Sequence, residues 1–271
     1  MNLFRFPDPV FSKIAKHVCK GPVPSKWIQP FTFKTHSYSL FQKEDGPCGL
    51  LASLQAYICI SLRVNPNVSP DDLLIEAILD IMYKIRRNFV LASKIDLENH
   101  YIEFYSTQNR KTAHDFLKNS KWYLSENASL LFVYSIVILL GPVWLDSYAF
   151  SDLFIINGQT SLNFVLLLLT GDVLDSFHDG NIITNGVVFK GALSEQEIGF
   201  VSISDSQAYQ NIGNYFSHPL QSVWIGYYGG HFTTIVKTDN NMFLEFDSLQ
   251  HNTFFNDVSE SHIFYQQLTG K

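Results

Sequence analysis

The hydrophobic pattern changes period near residue 185, and that change limits the folds open to this chain. Before it, apolar residues come in helix-length stretches: "CGLLASLQAYICISL" (48–62), "LLIEAILDIMYKI" (73–85), "SLLFVYSIVILLG" (129–141) and "SLNFVLLLLTG" (161–171). After it they come in short strand-like runs: "GVVF", "IGFVSI", "SVWIGYY", "HFTTIVK" and "MFLEFDSL". Helices first and strands last predict an α+β fold, with an N-terminal helical part packed on a C-terminal antiparallel sheet. The chain has 271 residues, 46% of them hydrophobic, enough to close one full core, so a single domain over 1–271 is expected. Within it, residues 1–30 read as a Pro-punctuated arm over the surface, 31–184 as mainly helical, and 185–271 as β-rich. Residues 92–128 read as the most exposed part.

Local signals fix some elements more closely. Ser69 caps a helix with Pro70 at its first position, Asp71 and Asp72 in its first turn, and Arg86, Arg87 and Asn88 at its end. Leu51, Leu54, Ile58 and Leu62 form an apolar stripe at helical spacing in 48–62. Gly171 suits the C-cap of the 161–171 helix, and "FTFKTHSYSLF" (31–41) reads as strand or loop. The run 129–141 holds about twelve apolar residues where a membrane span needs roughly twenty, so it predicts a core helix.

The formal charge of -6 gives no reason to expect nucleic acid, and a basic patch on a protein partner is its natural complement. "MNLFRFPDPVFSKIAKHVCKGP" lacks the long apolar core of a signal peptide. Cys19, Cys48 and Cys59 cannot all pair, and none lies in a C-x-x-C motif, so neither a zinc site nor a disulfide framework is expected. Cys48 and Cys59 share a helix but sit roughly 16 Å apart along its axis, too far to bridge. Reduced thiols, no metal, no cofactor and a cytoplasmic, monomeric protein are the expectations.

Cys48 stands apart from the other two. It follows Gly46-Pro47 at the start of a helix, where unpaired N–H groups and the helix dipole stabilise a thiolate. Gly46 and Gly49 would leave room for a substrate backbone. Gln42, six residues earlier, could direct its amide N–H at a developing oxyanion together with the Cys48 N–H. Glu44 and Asp45 work against this, since their charge would raise the thiol pKa. A buried cysteine that merely packs accounts for Gly-Pro-Cys-Gly equally well, and mid-helix Cys59 is read that way.

A thiol nucleophile needs a base. Of nine histidines, His231 is distinctive, because it follows Gly229-Gly230 and opens the strand "HFTTIVK". With the following turn centred on Asp239, Phe232, Thr234 and Val236 lie opposite Phe246, Leu244 and Met242 on one mainly apolar face. His231 then falls opposite Asp247, and Thr233 opposite Glu245, on the other face; a slip of one residue would split the apolar set. Asp247 is thereby a candidate to orient the imidazole. A surface His–Asp pair is the plainer alternative, and what weighs against it is the coincidence of Gln42, Cys48, His231 and Asp247.

"GPCGLLASLQAYI" together with "HFTTIVK" resembles the MINDY family of cysteine deubiquitinases, in the MINDY-3/MINDY-4 branch. The resemblance continues in order through "LLFVYSIVILLG", "SLNFVLLLLTGDVLDSFHDG", "EQEIGFVSI" and "VWIGYYGGHFTTI", covering most of 40–250. It implies a papain-like fold and hydrolysis of isopeptide bonds between ubiquitins, with preference for lysine-forty-eight-linked polyubiquitin. By position it makes Cys48 the nucleophile, Gln42 the oxyanion glutamine and His231 the general base. Asp247 rests on the hairpin register instead. The implied partners are ubiquitin, whose binding face is basic and apolar, and its chains, met in the cytoplasm, the nucleus or, for an effector, a host cytosol. The residues also leave open a ubiquitin-binding module without turnover, or a papain-like protease or acyltransferase with another substrate.

Overall fold

The computed structural model describes residues 1–141, 154–203, 212–240, 242–249 and 252–255. The first half carries strand β1 (Asn2–Pro7), helix α1 (Val10–Val18), the short strands β2 (Thr32–Phe33) and β3 (Leu40–Phe41), and helices α2 (Cys48–Val64) and α3 (Pro70–Arg86). The hairpin β4 (Phe89–Asp96) and β5 (Tyr101–Thr107) follows, then α4 (Arg110–Ser120) and α5 (Ala128–Leu140). Next come β6 (Ile155–Ile156), β7 (Gln159–Thr160), α6 (Leu162–Thr170), β8 (Ile182–Thr184), β9 (Val187–Phe189) and β10 (Gly199–Ile203). The described chain closes with α7 (Asn214–Ser217), β11 (Val223–Tyr228), β12 (His231–Lys237), β13 (Phe243–Phe246) and β14 (Thr253–Phe255).

The architecture is mixed helix and sheet, with the helices mainly in the first two thirds. Ser69 caps α3 by accepting a hydrogen bond from Asp72 N–H, and Arg87 ends it in the left-handed region. Gly171 ends α6 with φ +76°. Helix α2 is buried on every side from Cys48 through Cys59 rather than along one stripe. That is the reason its apolar residues run nearly continuously.

Three expectations need correction. Residues 1–30 are built into the fold: β1 pairs with β5, while Phe11, Ile14, Val18 and Trp27 are core side chains. Residues 92–128 are not mainly exposed, since β5 is the middle strand of a β1-β5-β4 sheet and Ile102, Leu117, Trp122 and Tyr123 are buried. The C-terminal sheet, ordered β10-β11-β12-β13-β14, is antiparallel except at one edge, where β10 and β11 run parallel. A parallel pair needs a long crossover, and the 19 residues from 204 to 222 supply one between strands ending at Ile203 and starting at Val223.

Helix α2 is the axle of the molecule, packed against α3, α6, β11 and β12. Phe232 and Val236 on one face of β12 join the main core, while Ile235 on the other face packs with Val201, Trp224 and Phe243. The hydroxyl of Thr234 donates to the carbonyl of Ala52 at 2.8 Å, tying β12 to α2 inside the core. At the start of α2, a Cβ on Gly49 would lie 2.8 Å from Cγ2 of Thr160 and 2.9 Å from Cγ2 of Val165. Near the other end, the Tyr57 hydroxyl donates to the carbonyl of Leu168. Helices α2 and α6 therefore run in the same direction and begin at the same end of the molecule. No helix among the described residues is long and apolar enough to cross a membrane.

Candidate active site

The site forms where the start of α2 meets the start of β12. Cys48 is the first residue of α2, fully buried, behind Pro47, which supplies no side-chain cap. The first-turn N–H groups beside the sulfur therefore have no intrahelical acceptor. His231 opens β12 and pairs with Tyr228 across the turn. Gly229 and Gly230 take φ +57° and +89°, the two consecutive positive values of the tight turn that matches strand twist. The turn makes His231 the first residue of its strand and points it back over the helix end.

His231 Nε2 lies 3.0 Å from Asp247 Oδ1. Asp247 is nearly buried, and its Oδ1 also accepts from the Leu249 N–H at 2.9 Å. The imidazole pKa is pushed up to about 10, first by the hydrogen bond to Asp247, then by one to Cys48, with burial opposing and the charges of Asp247 and Cys48 adding. Nε2 is committed to the carboxylate, so Nδ1 is the nitrogen left for the sulfur. Lys34 donates from its ammonium to the backbone carbonyl of Asp247; burial lowers the Lys34 pKa and the Asp247 charge resists that.

The register that brings His231 and Asp247 together differs from the one the sequence predicts. Thr234 pairs with Phe246 and Val236 with Leu244, two residues from the expected ladder, because the turn centres on position 240 and Thr238 N–H bonds the carbonyl of Met242. A shift of two keeps every side chain on its expected face. The contacts His231–Asp247 and Thr233–Glu245, the latter 2.8 Å between Oγ1 and Oε1, thus form diagonally instead of directly across.

Gln42 is buried, and its amide is fixed at both ends: Oε1 accepts from the Ser248 hydroxyl at 2.7 Å, and Nε2 donates to the carbonyl of Glu44 at 2.8 Å. Its backbone N–H also bonds the Ser248 carbonyl. The loop from Glu44 to Pro47 is held from outside by the β6–β7 hairpin. Thr160 donates to the Gly46 carbonyl from both N–H and Oγ1, and Gln159 Nε2 reaches the Asp45 carboxylate at 2.9 Å. Glu44 and Asp45, expected to crowd the thiol with charge, are exposed. The glycines do not keep substrate room: Gly49 faces Thr160 and Val165, and Gly46 faces Gly158 and Lys26.

Cys48, His231 and Asp247 thus lie together at the site, and Gln42 is bonded to Ser248, the residue that follows Asp247. Cys59 is buried among apolar groups, which push its thiol up to about 12. Ser248 was not legible, since its partner stands 206 positions away. The β6–β7 hairpin was: Asn157-Gly158, with φ +51° and +81°, is a strong hairpin signal. Among the described residues no three His, Cys, Asp or Glu side chains gather as metal ligands.

A family model described as the conserved domain of the deubiquitinating enzymes MINDY-3/4 matches residues 15–262. The chain is 20% identical over 308 residues to a Drosophila melanogaster protein named ubiquitin carboxyl-terminal hydrolase MINDY-3 homolog, aligning 80% of this chain and 53% of that one. It is 22% identical over 269 residues to ubiquitin carboxyl-terminal hydrolase MINDY-3 of Xenopus tropicalis, with 80% and 61% covered. The chain therefore spans between half and two thirds of the length of these relatives. No solved structure matches it.

Proposed function

This chain belongs to the MINDY-3/4 family of deubiquitinating enzymes, and from that premise we propose that it is a cysteine isopeptidase acting on ubiquitin chains. The observation that carries the reading is the chain of contacts from Asp247 through His231 to Cys48 at the start of α2. The carboxylate and the sulfur both favour the protonated imidazole, and a cation of that kind beside a cysteine is what activates a thiol nucleophile.

In the proposed reaction, Cys48 Sγ adds to the carbonyl carbon of the C-terminal glycine of ubiquitin, and the π pair moves onto oxygen. The Gln42 amide and the Cys48 N–H stabilise that oxyanion. As it collapses, the bond to the lysine ε-nitrogen breaks and the amine leaves with the proton of His231, forming a thioester. His231 then takes a proton from water, whose oxygen attacks the thioester and releases Cys48. Asp247 holds the ring throughout. A nucleophile at a helix end facing a base and its orienting carboxylate on a sheet suits a papain-like catalytic domain. Preference for lysine-forty-eight-linked chains follows the resemblance, and three unpaired cysteines suit the reducing cytoplasm.

A ubiquitin probe with a C-terminal electrophile should label the protein and not its Cys48→Ala variant, and a panel of differently linked chains should give the linkage. Equal labelling of both proteins would overturn the reading. A second reading, a ubiquitin-binding module without turnover, draws on the complete burial of Cys48, since substrate reaches the sulfur only when its cover parts. Chain binding with an unreactive Cys48 would favour it.

A further inference from the structure

We propose that Ser248 is a positioning residue for the Gln42 amide, deciding how well that amide can hold an oxyanion; this rests on the acyl-transfer chemistry proposed for the same site. An amide is useful to an oxyanion only if it presents N–H and not C=O. The acceptor-only carbonyl of Glu44 fixes which end is which, because a flipped amide would place two oxygens 2.8 Å apart. With Nε2 on that side, the Ser248 hydroxyl can act toward Oε1 only as a donor, at 2.7 Å.

Two consequences follow. First, Glu44 takes one Nε2 hydrogen, and the second has no partner among the described residues although Gln42 is 1% exposed. A buried N–H without an acceptor is unfavourable unless a substrate oxygen takes it. Second, a hydrogen bond into Oε1 polarises the amide and strengthens its N–H groups as donors. Ser248 also accepts the Gln42 backbone N–H and follows directly on Asp247. One dipeptide therefore sets both the orienter of the base and the orientation of the oxyanion amide.

The test needs no ubiquitin. In acylation of Cys48 by 4-nitrophenyl acetate, sulfur adds to the carbonyl, an oxyanion forms, and its collapse expels 4-nitrophenolate. In alkylation by iodoacetamide, the S–C bond forms as the C–I bond breaks and iodide leaves with its electron pair, so no oxyanion arises. Modification is followed at Cys48 by peptide mass. Ser248→Ala should slow acylation about tenfold, or about 1.4 kcal/mol, with alkylation within about twofold of wild type. Ser248→Thr should restore acylation, and Ser248→Ala should add no loss to Gln42→Ala. Ser248→Cys, close in size to the native side chain and a far weaker donor, gives the same readout should the alanine variant not fold.

Equal losses in both reactions, full acylation in the variant, additive losses with Gln42→Ala, or a wild-type Cys48 inert to both reagents would each overturn the proposal. The split between reagents in a protein that cleaves no ubiquitin chain would overturn the isopeptidase reading and leave the role of Ser248 standing. Chain cleavage without the split would do the reverse.

Discussion

Replacing Asp247 by Asn removes the carboxylate charge while nearly keeping its shape. In the wild type the His231 imidazolium has a pKa of about 10, and Asp247 is the first cause. Without the charge the ring falls back toward the ordinary value of about 6.5. At pH 8 an imidazole of pKa 6.5 is only about 3% protonated, whereas one at 10 is almost wholly so. The imidazolium form of His231 would then fall about 30-fold at pH 8 and only about 1.3-fold at pH 6. The sulfur still contacts the ring, which makes these upper bounds. The sign is set by the direction of the shift: the raised pKa extends activity to alkaline pH, and its loss removes the alkaline side first. The assay is kcat/KM for a fluorogenic ubiquitin C-terminal amide from pH 5.5 to 9, which reports titrations of the free enzyme. Poorer ring orientation would add a factor independent of pH, so the diagnostic quantity is growth of the deficit, by up to about 25-fold, between pH 6 and 8. A deficit constant across that range would refute the claim that Asp247 holds the proton on His231.

Two further outcomes follow from the packing. Gly49→Ala should destabilise the protein by about 1–3 kcal/mol in chemical unfolding, because Thr160 and Val165 leave no room for a methyl group beside α2; unchanged stability would mean that α6 and β7 can retreat from the helix. Cys59→Ala should leave alkylation at neutral pH unaltered, since a thiol pushed up to about 12 offers almost no thiolate there, and a loss of one reactive thiol per chain would contradict this.

Local chemistry wrote most elements openly into the sequence. Ser69-Pro70 and Gly171 bound their helices because capping is decided within a few residues. The face carrying His231 was legible from apolar alternation in β12 and β13, but the exact register was not. Parity is set by burial, while a shift of two is set by the turn, whose geometry depends on Thr238 and Met242 closing around it. Strand β1 was hidden because "NLFRFP" leaves Leu3 and Phe4 exposed and is stable only through β5, some hundred positions away. The parallel edge of the sheet had no local signature, since direction is fixed by the crossover between β10 and β11. At the site, Cys48 and His231 announced themselves by their flanking glycines and proline. The hydrogen bonds of Ser248 to Gln42 and of Thr160 to Gly46 could not, being contacts between distant segments that only the closed core creates.

His231 stands 183 positions after Cys48. A ribosome adding about 5–20 residues each second takes on the order of 10–40 s to cover that interval. Throughout it the sulfur has no imidazole beside it. The proposed Cys48–His231 pair therefore forms late, with the docking of the last strands, and a nascent or truncated chain lacks it.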